Sequence, residues 1–474
     1  MINDLFNILL PQTCLCAFII IQLLCSMFLS PRYFRYARLL SAIGIALSTV
    51  LLSTVQTEPQ CFGLKNSIMS DSYTLLFHFA ILLCGFFVVL LTRNLIHEQK
   101  RNAYTIQALL LTAIFGAMNI VSANDFLTLF VSIELLSFPT YFLIASDKGY
   151  YPKEAAFKYL ITSAVSTGVF LFGVSYLYGL TSSLNLSEIY EFIVESEPSL
   201  LYAFSGVMIV LGLISKLSIF PFANWVIDVY KGSETSILAF LSTIPKLAMF
   251  GILCRLLVFS LGSSIELTFV IAIVSIITAL WANTYAIREH NVKVIFACSA
   301  AANSSYVLLA ACLVSVYNLS TVIFYLICYV LMNISVFAFL NITDSNKIGI
   351  ETSDFKGLFH KNHGLSIAYA IAIIALAGFP ITSGFVAKIY LFSAIANSGL
   401  IFVPFLLVLL MLTVVALYYY IKILLPLFDI AEAKVLKTVY SQKFVLIITA
   451  AVTVLIGVYP EKLVELCRFI AYNI

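Results

Sequence analysis

Five ionisable side chains stand out because they lie inside long apolar runs of the sequence. They are one glutamate and four lysines: Glu134, Lys158, Lys216, Lys246 and Lys388. A charge that faces lipid at the centre of a membrane costs roughly 2.5–3.5 kcal/mol on insertion scales. These side chains must therefore face a protein interior or a wet cavity. A buried lysine releases its proton more readily than an exposed one, and a nearby carboxylate tunes that release. The set favours a relay of proton-exchanging groups over one structural Glu–Lys pair.

The depth of each charge separates the candidates further. Lys216, Lys246 and Lys388 lie deep in their runs, and Glu134 lies in the middle of its own. Lys158 lies about one turn inside its run. Its side chain is therefore as well explained by extension to the membrane surface as by a part in the relay. Arg255 lies near the end of its run and is predicted to reach the surface with its long side chain.

The composition shows which elements must position these groups. Of 474 residues, 62% are hydrophobic and only 10% are charged, well above the roughly 45–50% apolar content of soluble domains. This excludes soluble globular, disordered, nucleic-acid-binding and secreted disulfide-stabilised classes and indicates an all-α polytopic membrane protein. Ten cysteines without a C-x-x-C motif are predicted to be buried small hydrophobes, neither disulfides nor iron–sulfur ligands. No metal site is predicted, because His360 and His363 lack nearby cysteine ligands.

Apolar runs of about 20 residues recur along the whole chain and predict fourteen transmembrane helices in a single membrane domain. The predicted helices are 5–29, 37–55, 72–95, 103–121, 124–145, 154–179, 200–228, 235–259, 266–286, 293–315, 319–341, 365–395, 400–421 and 444–460.

The basic residues predict the orientation of these helices. With alternating loops, 18 of the 26 lysines and arginines, Lys148 among them, fall on one side, and only Lys65, Lys462 and Arg468 fall on the other. Positive charge accumulates in cytoplasmic loops. Both termini are therefore predicted on the outer side of the membrane.

Two predicted helices contain breaks close to a lysine. Predicted helix 7 has Pro221 shortly after Lys216, and predicted helix 12 has Gly378 and Pro380 before Lys388. Proline interrupts the helical hydrogen bonds, which a membrane tolerates where the freed backbone lines a polar cavity. Breaks in matching positions of two halves are typical of inverted-repeat transporters. Predicted helices 4–8 and 9–13 are thus candidate inverted five-helix repeats, giving N-terminal helices at 1–102, repeats at 103–259 and 266–421, and a C-terminal helix at 422–474.

The motifs around these residues resemble the antiporter-like membrane subunits of NADH-quinone oxidoreductase (respiratory complex I), and the subunit N family most closely. The resemblance covers roughly residues 120–395. Its motifs are Ser-Ile-Glu-Leu-Leu-Ser around Glu134, Glu-Ala-Ala-Phe-Lys ending at Lys158, Lys-Leu-Ser-Ile-Phe-Pro-Phe from Lys216, Ala-Phe-Leu-Ser-Thr-Ile-Pro-Lys ending at Lys246, and Gly-Phe-Val-Ala-Lys ending at Lys388.

The chain departs from this family at several positions. Ala223 and Asn303 stand where the family usually has histidine, Ile227 where it has proline, and Lys231 where it has an acid. Asparagine does not titrate, so a link between two half-channels at Asn303 needs a substitute, for which water and Lys293 are the candidates.

The resemblance implies a proton-translocating subunit of the membrane arm, with Glu134 beside Lys216 as an electrostatic switch and with Lys246 and Lys388 carrying the proton onward. It implies that NADH, flavin, iron–sulfur clusters and quinone belong to other subunits. The implied partners are other membrane-arm subunits, including antiporter-like ones, and the lipid bilayer, without nucleic acid. A subunit of a multi-subunit cation/proton antiporter shares the fold and most of these residues and is the alternative. A structural or assembly paralogue with a lost channel is a third reading.

Overall fold

The computed structural model of the chain describes residues 8–55, 61–147, 149–195, 200–258, 265–432 and 434–473. Residues 5–7 of the first predicted helix, residue 259 at the end of the eighth, and Lys148 lie outside these ranges. The regular secondary structure of the described chain consists of helices and one short antiparallel hairpin, β1 (Cys61–Gly63) and β2 (Ile68–Ser70), in which Cys61 pairs with Ser70.

The helices of the first part of the chain are α1 (Leu10–Phe28), α2 (Phe34–Leu51), α3 (Ser72–Leu91), α4 (Arg93–Glu98), α5 (Ala103–Ser122), α6 (Phe126–Ala145), α7 (Tyr150–Thr181), α8 (Leu186–Glu195), α9 (Leu200–Ile214), α10 (Trp225–Gly232), α11 (Thr235–Leu241) and α12 (Ile244–Leu256). Those of the rest are α13 (Ile265–Arg288), α14 (Val292–Cys312), α15 (Val316–Ser345), α16 (Leu358–Lys361), α17 (His363–Ala377), α18 (Ser383–Asn397), α19 (Val403–Phe428), α20 (Tyr440–Val458) and α21 (Glu461–Tyr472).

The all-α polytopic architecture predicted from the apolar runs is confirmed. Thirteen helical segments of the described chain are long and apolar enough to cross a membrane. The fourteenth predicted span, 365–395, is helical too, but it is divided into α17 and α18, each of 15 residues. The short helices α8 and α21 were not predicted as elements of their own, because a hydropathy scan detects only segments of membrane-crossing length.

Breaks occur at both positions where the sequence predicts them. Helix α9 ends at Ile214 and continues as the 3-10 turn Ser215–Leu217, and α10 begins only at Trp225, with Pro221 between them. Helix α17 ends at Ala377, where Gly378 takes a left-handed φ of 89°, and α18 begins at Ser383. Glycine is the residue that adopts this conformation without a steric penalty.

A third break, which the sequence analysis did not predict, divides the eighth predicted helix. It lies at Ser242 and Thr243, between α11 and α12. Pro245 is the second residue of α12, a position at which the missing backbone N–H leaves no helical hydrogen bond unmade. The proline therefore fits a new helix start, whereas inside an uninterrupted helix it would remove a hydrogen bond.

The chain forms two compact units. The first comprises residues 1–217, 244–270 and 472–474, and the second comprises residues 218–243 and 271–471. Two of the unit boundaries therefore fall at helix breaks, before Ser218 and after Thr243. The four-part division into N-terminal helices, two repeats and a C-terminal helix stays a prediction.

Within each unit, a few helices form the interior. In the first, α5 packs against α6 and α7 against α9; in the second, α15 contacts α17, α18 and α20. Every residue of α12 and of α14 is buried, whereas much of the surface of α1 is exposed. A helix that is apolar all round and buried all round belongs to a core. Charged residues on such helices are held away from lipid.

Candidate proton-relay site

Lys216 lies in the 3-10 turn that ends α9, with only 6% of its surface exposed. Its ammonium donates hydrogen bonds to the hydroxyls of Ser137 (2.8 Å), Tyr141 (3.5 Å) and Ser163. The nitrogen also lies 5.9 Å from the ring centre of Tyr141 and 5.7 Å from that of Tyr159. Lys216 is thus held in a cage of hydroxyls and aromatic rings that α6 and α7 supply.

Glu134 lies on the same face of α6, three residues before Ser137. Its carboxylate accepts a hydrogen bond from Thr167 of α7 at 3.1 Å. Within the described residues, no ion pair joins Glu134 directly to Lys216, although the carboxylate is close enough for its charge to act on the lysine. The structure therefore brings the two predicted residues into one cluster, with hydroxyl groups as the immediate partners of the ammonium.

Lys246 is the third residue of α12 and is 3% exposed. It follows the break at Ser242–Thr243 by three residues, so all three deep lysines lie beside a helix break. Two of these breaks were predicted from proline and glycine, and the third was not.

Lys158 has a different environment from the other lysines. Helix α7 begins at Tyr150, so Lys158 lies two turns from its start, and its ammonium pairs with Glu154 at 2.9 Å. The two side chains are 44% and 37% exposed. An exposed i,i+4 pair of this kind stabilises a helix by only about 0.3–0.5 kcal/mol. The structure does not bring Lys158 into the Lys216 cluster.

The prediction that Arg255 reaches the membrane surface is wrong. Its side chain is fully buried and pairs with Asp71 at 2.7 Å. It also donates to the carbonyl of Val121 at 3.1 Å and lies over the ring of Tyr73, 5.1 Å from the ring centre. The cause is Asp71, the N-cap residue of α3, which lies 184 positions earlier in the chain. An arginine with a buried carboxylate partner has no reason to extend toward the surface.

Lys388 is the sixth residue of α18 and is 8% exposed. Its ammonium reaches back across the break and donates to the carbonyls of Leu376 (2.8 Å) and Ala377 (2.9 Å). These carbonyls belong to the last turn of α17, where backbone oxygens lack helical partners and the helix end carries partial negative charge. The lysine therefore caps the first half of the broken helix, a contact that the sequence analysis, which predicted only a cavity lined by freed backbone, did not foresee.

Two glycines make this contact possible. A Cβ atom at Gly378 would lie 2.9 Å from Cδ of Lys388, and one at Gly384 would lie 1.8 Å from the carbonyl oxygen of Ala375. Any side chain at Gly384 would force α17 and α18 apart. The glycines thus fix how closely the lysine approaches the helix end.

Asn303 lies in a buried polar network of the second unit. Its side-chain amide donates to the carbonyl of Ser299 at 2.9 Å and accepts from the hydroxyl of Tyr325 at 2.8 Å. The Ser299 hydroxyl in turn forms a hydrogen bond with Tyr420. The amide of asparagine and the hydroxyl of tyrosine can each both donate and accept a hydrogen bond. The position is therefore part of a hydrogen-bonded chain, although asparagine does not titrate.

Lys293 is too far from Asn303 to substitute for the family's histidine. It lies ten residues earlier on α14, about 15 Å along the helix axis, and its ammonium pairs with Asp344 at 2.9 Å. Of the two candidate substitutes, the structure thus leaves water.

The sequence analysis missed one carboxylate near this ion pair. Glu234 caps α11 by accepting from the backbone N–H of Ser236 at 2.8 Å, and Asn341 donates to it at 3.5 Å. Desolvation by burial is the main cause that raises the pKa of Glu234, to about 7, and Asp344 adds to it. Glu234 lies one residue before the apolar run 235–259 and not inside it, so hydropathy gave no signal of an intramembrane charge.

The lysine and glutamate side chains of this set belong to types that can bind and release protons. Lys216 and Lys388 have hydrogen-bond acceptors in place, and the hydroxyls around Lys216 and Asn303 can pass a proton because each both donates and accepts. Among the described residues, His, Cys, Asp and Glu do not gather in groups of three or more that could hold a metal ion.

Comparison with known proteins gives a consistent result. The family described as NADH:quinone oxidoreductase/Mrp antiporter, TM matches residues 123–416. NADH-quinone oxidoreductase subunit N of Anoxybacillus flavithermus is 34% identical over 440 residues, which cover 89% of this chain and 88% of that protein. Subunit N of Bacillus anthracis is 32% identical over 480 residues, covering 96% and 93%.

Solved structures share the fold. A chain of respiratory complex I from Thermus thermophilus superposes with a TM-score of 0.82 at 26% identity, over 96% of this chain and 98% of that one. A chain of the Mrp complex from Dietzia sp. superposes with a TM-score of 0.80 at 18% identity, over 98% and 97%, and shows the fold alone. The resemblance seen in the motifs is thereby confirmed. The chain belongs to the NADH:quinone oxidoreductase/Mrp antiporter family of membrane subunits, as an antiporter-like subunit of the subunit N type.

Proposed function

We propose that this chain translocates protons in the membrane arm of an NADH-quinone oxidoreductase. The observation that carries the proposal is the set of three buried lysines, each beside a helix break, in a chain whose relatives are subunits N. Lys216 and Lys388 already have their acceptors in place, which is the preorganisation that proton transfer requires. Electron transfer from NADH to quinone elsewhere in the complex would drive the change of protonation here, giving the complex its translocase activity.

The proposed relay begins at Glu134 and Lys216. A change in the distance or charge of Glu134 alters how strongly the ammonium of Lys216 is held. The proton then passes through Lys246 and the hydroxyl network around Asn303, with water as the connecting group, and leaves through Lys388. Lys158, paired with Glu154 at the surface, is assigned no step in this route.

The proposed setting follows from the relatives. NADH, flavin, iron–sulfur clusters and quinone are assigned to other subunits, and the partners are other membrane-arm subunits, including antiporter-like ones. The chain is a multi-pass protein of the inner membrane. We propose that both of its termini lie on the outer side.

Replacing Lys216 with methionine tests the proposed function. The complex that contains this variant is purified and reconstituted into vesicles, and proton uptake is measured during NADH oxidation with a quinone acceptor. We expect assembled complex with at least roughly tenfold less proton uptake per NADH, because methionine keeps the side-chain length but binds no proton. Lys443→Met, at an exposed lysine of α20, is the matched control and should pump normally.

Two outcomes would contradict the proposal. Normal uptake by Lys216→Met would remove the lysine from the route. Proton exchange that needs an external Na⁺ gradient, and is indifferent to NADH, would instead establish the cation/proton antiporter.

The proposed orientation is tested with alkaline phosphatase, which is active only outside the cytoplasm. A fusion after Asn473 should be active and one after Lys356 inactive, because positive charge accumulates on the cytoplasmic side. The reverse pattern would overturn the orientation but not the relay.

A further inference from the structure

A cavity of about 260 Å³ opens in the first unit, next to the turn between α1 and α2. We call it the arginine pocket. Its lining consists of Phe34, Arg35, Arg38, Arg93, Ile96 and His97. Arg35 and Arg38 come from α2, Arg93 and His97 from α4. Three guanidinium groups thus converge on one cavity. The charge distribution predicts that this end of the helices lies on the cytoplasmic side of the membrane.

The pocket has a rigid aromatic floor. Phe34 is buried in a small core with Ala37, Ile96, Ala103 and Tyr104. The ring of His97 packs edge-on against it at 5.2 Å, and the cations of Arg35 and Lys100 lie 5.8 and 5.4 Å from its centre. Cations near an aromatic ring gain from the charge distribution of its π system. The basic side chains are therefore arranged around a fixed surface.

The basic side chains of the pocket form no ion pair within the described chain. The ion pairs found there involve Lys158, Arg255 and Lys293, none of which belongs to the pocket. Nη1 of Arg38 is buried without any hydrogen-bond partner. A buried, unpaired guanidinium nitrogen costs free energy that an anion in the cavity would recover.

The apolar side of the pocket indicates what kind of anion fits. A second cavity, of about 660 Å³, shares Phe34, Arg35 and Arg38 with the first and continues along Leu39, Ala42 and Leu90. Leu39 and Tyr36, which also lines it, are 54% and 56% exposed. A cationic cavity that continues into an open apolar groove matches a ligand with an anionic head and a hydrocarbon tail.

We propose that the arginine pocket binds the phosphate headgroup of an anionic phospholipid, with an acyl chain along the groove beside Leu39. Arginine suits phosphate because its planar fork donates two parallel hydrogen bonds. The orientation of the helices in the membrane does not require such a cluster, because positive charge anywhere in a cytoplasmic loop is enough to orient them. Exposed residues such as Arg32 and Arg101 supply that charge without burying a nitrogen of Arg38.

Lipid binding to the whole complex tests the proposal. Delipidated complex in neutral detergent is titrated with phosphatidylglycerol or with phosphatidylcholine in mixed micelles, and retained lipid is quantified by mass spectrometry. Wild type should retain phosphatidylglycerol in preference to phosphatidylcholine. Arg38→Gln with Arg93→Gln should weaken its binding by about fivefold for each arginine. Arg101→Gln, which removes a nearby charge outside both cavities, is the matched control and should bind normally.

The variants Arg38→Lys and Arg93→Lys guard against faulty insertion, because they keep the charge and remove only the fork. They should assemble and bind phosphatidylglycerol more weakly than wild type.

Competition separates the sources of phosphate: inorganic phosphate at millimolar concentration should not displace the lipid. Displacement would assign the pocket to a soluble anion and overturn the proposal. Equal retention of phosphatidylglycerol by wild type and the double Gln variant, or a cross-link from Arg38 to an acidic residue of another subunit, would overturn it as well.

Discussion

Lys216 and Lys388 both lie beside a break in a helix, but opposite kinds of partner hold them. Lys216 precedes its break and donates to the side-chain hydroxyls of Ser137 and Ser163, with Glu134 nearby. Lys388 follows its break and donates to two backbone carbonyls of the preceding half-helix. One site is built from side chains that respond to protonation, the other from fixed backbone.

The difference determines how each lysine can be switched. Hydroxyls accept from an ammonium and can also donate to a neutral amine, so the Lys216 site accommodates both states, and the carboxylate of Glu134 biases the choice. Carbonyls only accept. A neutral amine still satisfies both carbonyls with its two N–H groups, and the charged form has a third N–H free for transfer. Lys388 thus needs no rearrangement of its partners to release a proton.

The largest effect is expected from Lys388→Arg. A guanidinium keeps the charge and can still donate to the carbonyls of Leu376 and Ala377, but with a pKa above about 12 it does not release its proton. We expect normal assembly and at least a roughly tenfold loss of proton uptake per NADH in reconstituted vesicles. If Lys388 were only a fixed cap of α17, arginine would serve nearly as well. Near wild-type uptake would therefore show that capping is its whole role.

A smaller effect is expected from Glu134→Gln. The amide keeps the shape and can still accept from Thr167, but the charge that acts on Lys216 is gone. A nearby opposite charge changes the protonation equilibrium of a group by about tenfold or more, so we expect up to a roughly tenfold loss of uptake with unchanged amounts of complex. Glu154→Gln, which removes the surface partner of Lys158, is the control. Equal behaviour of the two variants would place Glu134 among structural residues.

Ser137→Ala should have the smallest effect. It removes one of three hydroxyl partners of Lys216, and the net loss of one hydrogen bond is on the order of 1 kcal/mol, about fivefold in an equilibrium. Because Tyr141 and Ser163 remain, we expect a severalfold decrease in uptake. Ser205→Ala, at a buried serine of α9 whose hydroxyl donates to the carbonyl of Tyr202 in the same helix, controls for the loss of a hydroxyl. The backbone carbonyls that hold Lys388 cannot be removed by a side-chain substitution, so this test applies to the Lys216 site alone. Unchanged proton uptake in Ser137→Ala would show that the side-chain partners of Lys216 matter no more than fixed backbone would.

Much of this arrangement was predictable from the sequence because the membrane leaves little choice. Every apolar run had to be a helix, and the Gly378–Pro380 pair marks the break that Lys388 bridges. The depth of Lys216 and Lys246 within their runs was enough to predict burial. Predictions of this kind depend only on neighbouring residues.

Contacts between distant parts of the chain were not predictable in this way. Arg255 has the sequence of a residue that extends to the surface, and only Asp71, far away in the chain, makes burial favourable. The hydroxyls around Lys216 come from α6 and α7, where serine and threonine are common and no spacing distinguishes Ser137 and Ser163 from the rest. The break before Lys246 was missed, although Pro245 lies beside it, because Ser242 and Thr243 continue an apolar run of membrane-crossing length.

The length of α15 determines whether the charged residue near its end, Asp344, lies inside the hydrocarbon layer of the membrane. Its 30 residues rise about 45 Å, and about 42 Å at the usual tilt of roughly 20°, whereas the hydrocarbon layer is about 30 Å thick. The apolar run 319–341 fills that layer, so Asp344 lies beyond it, among the lipid headgroups. Its ion pair with Lys293, in which the carboxylate is 29% and the lysine 10% exposed, is then only partly shielded from mobile counter-ions, which weaken it moderately as ionic strength rises. Salt thus weakens this pair while leaving Lys216 and Lys388, which lie below the headgroups, unscreened.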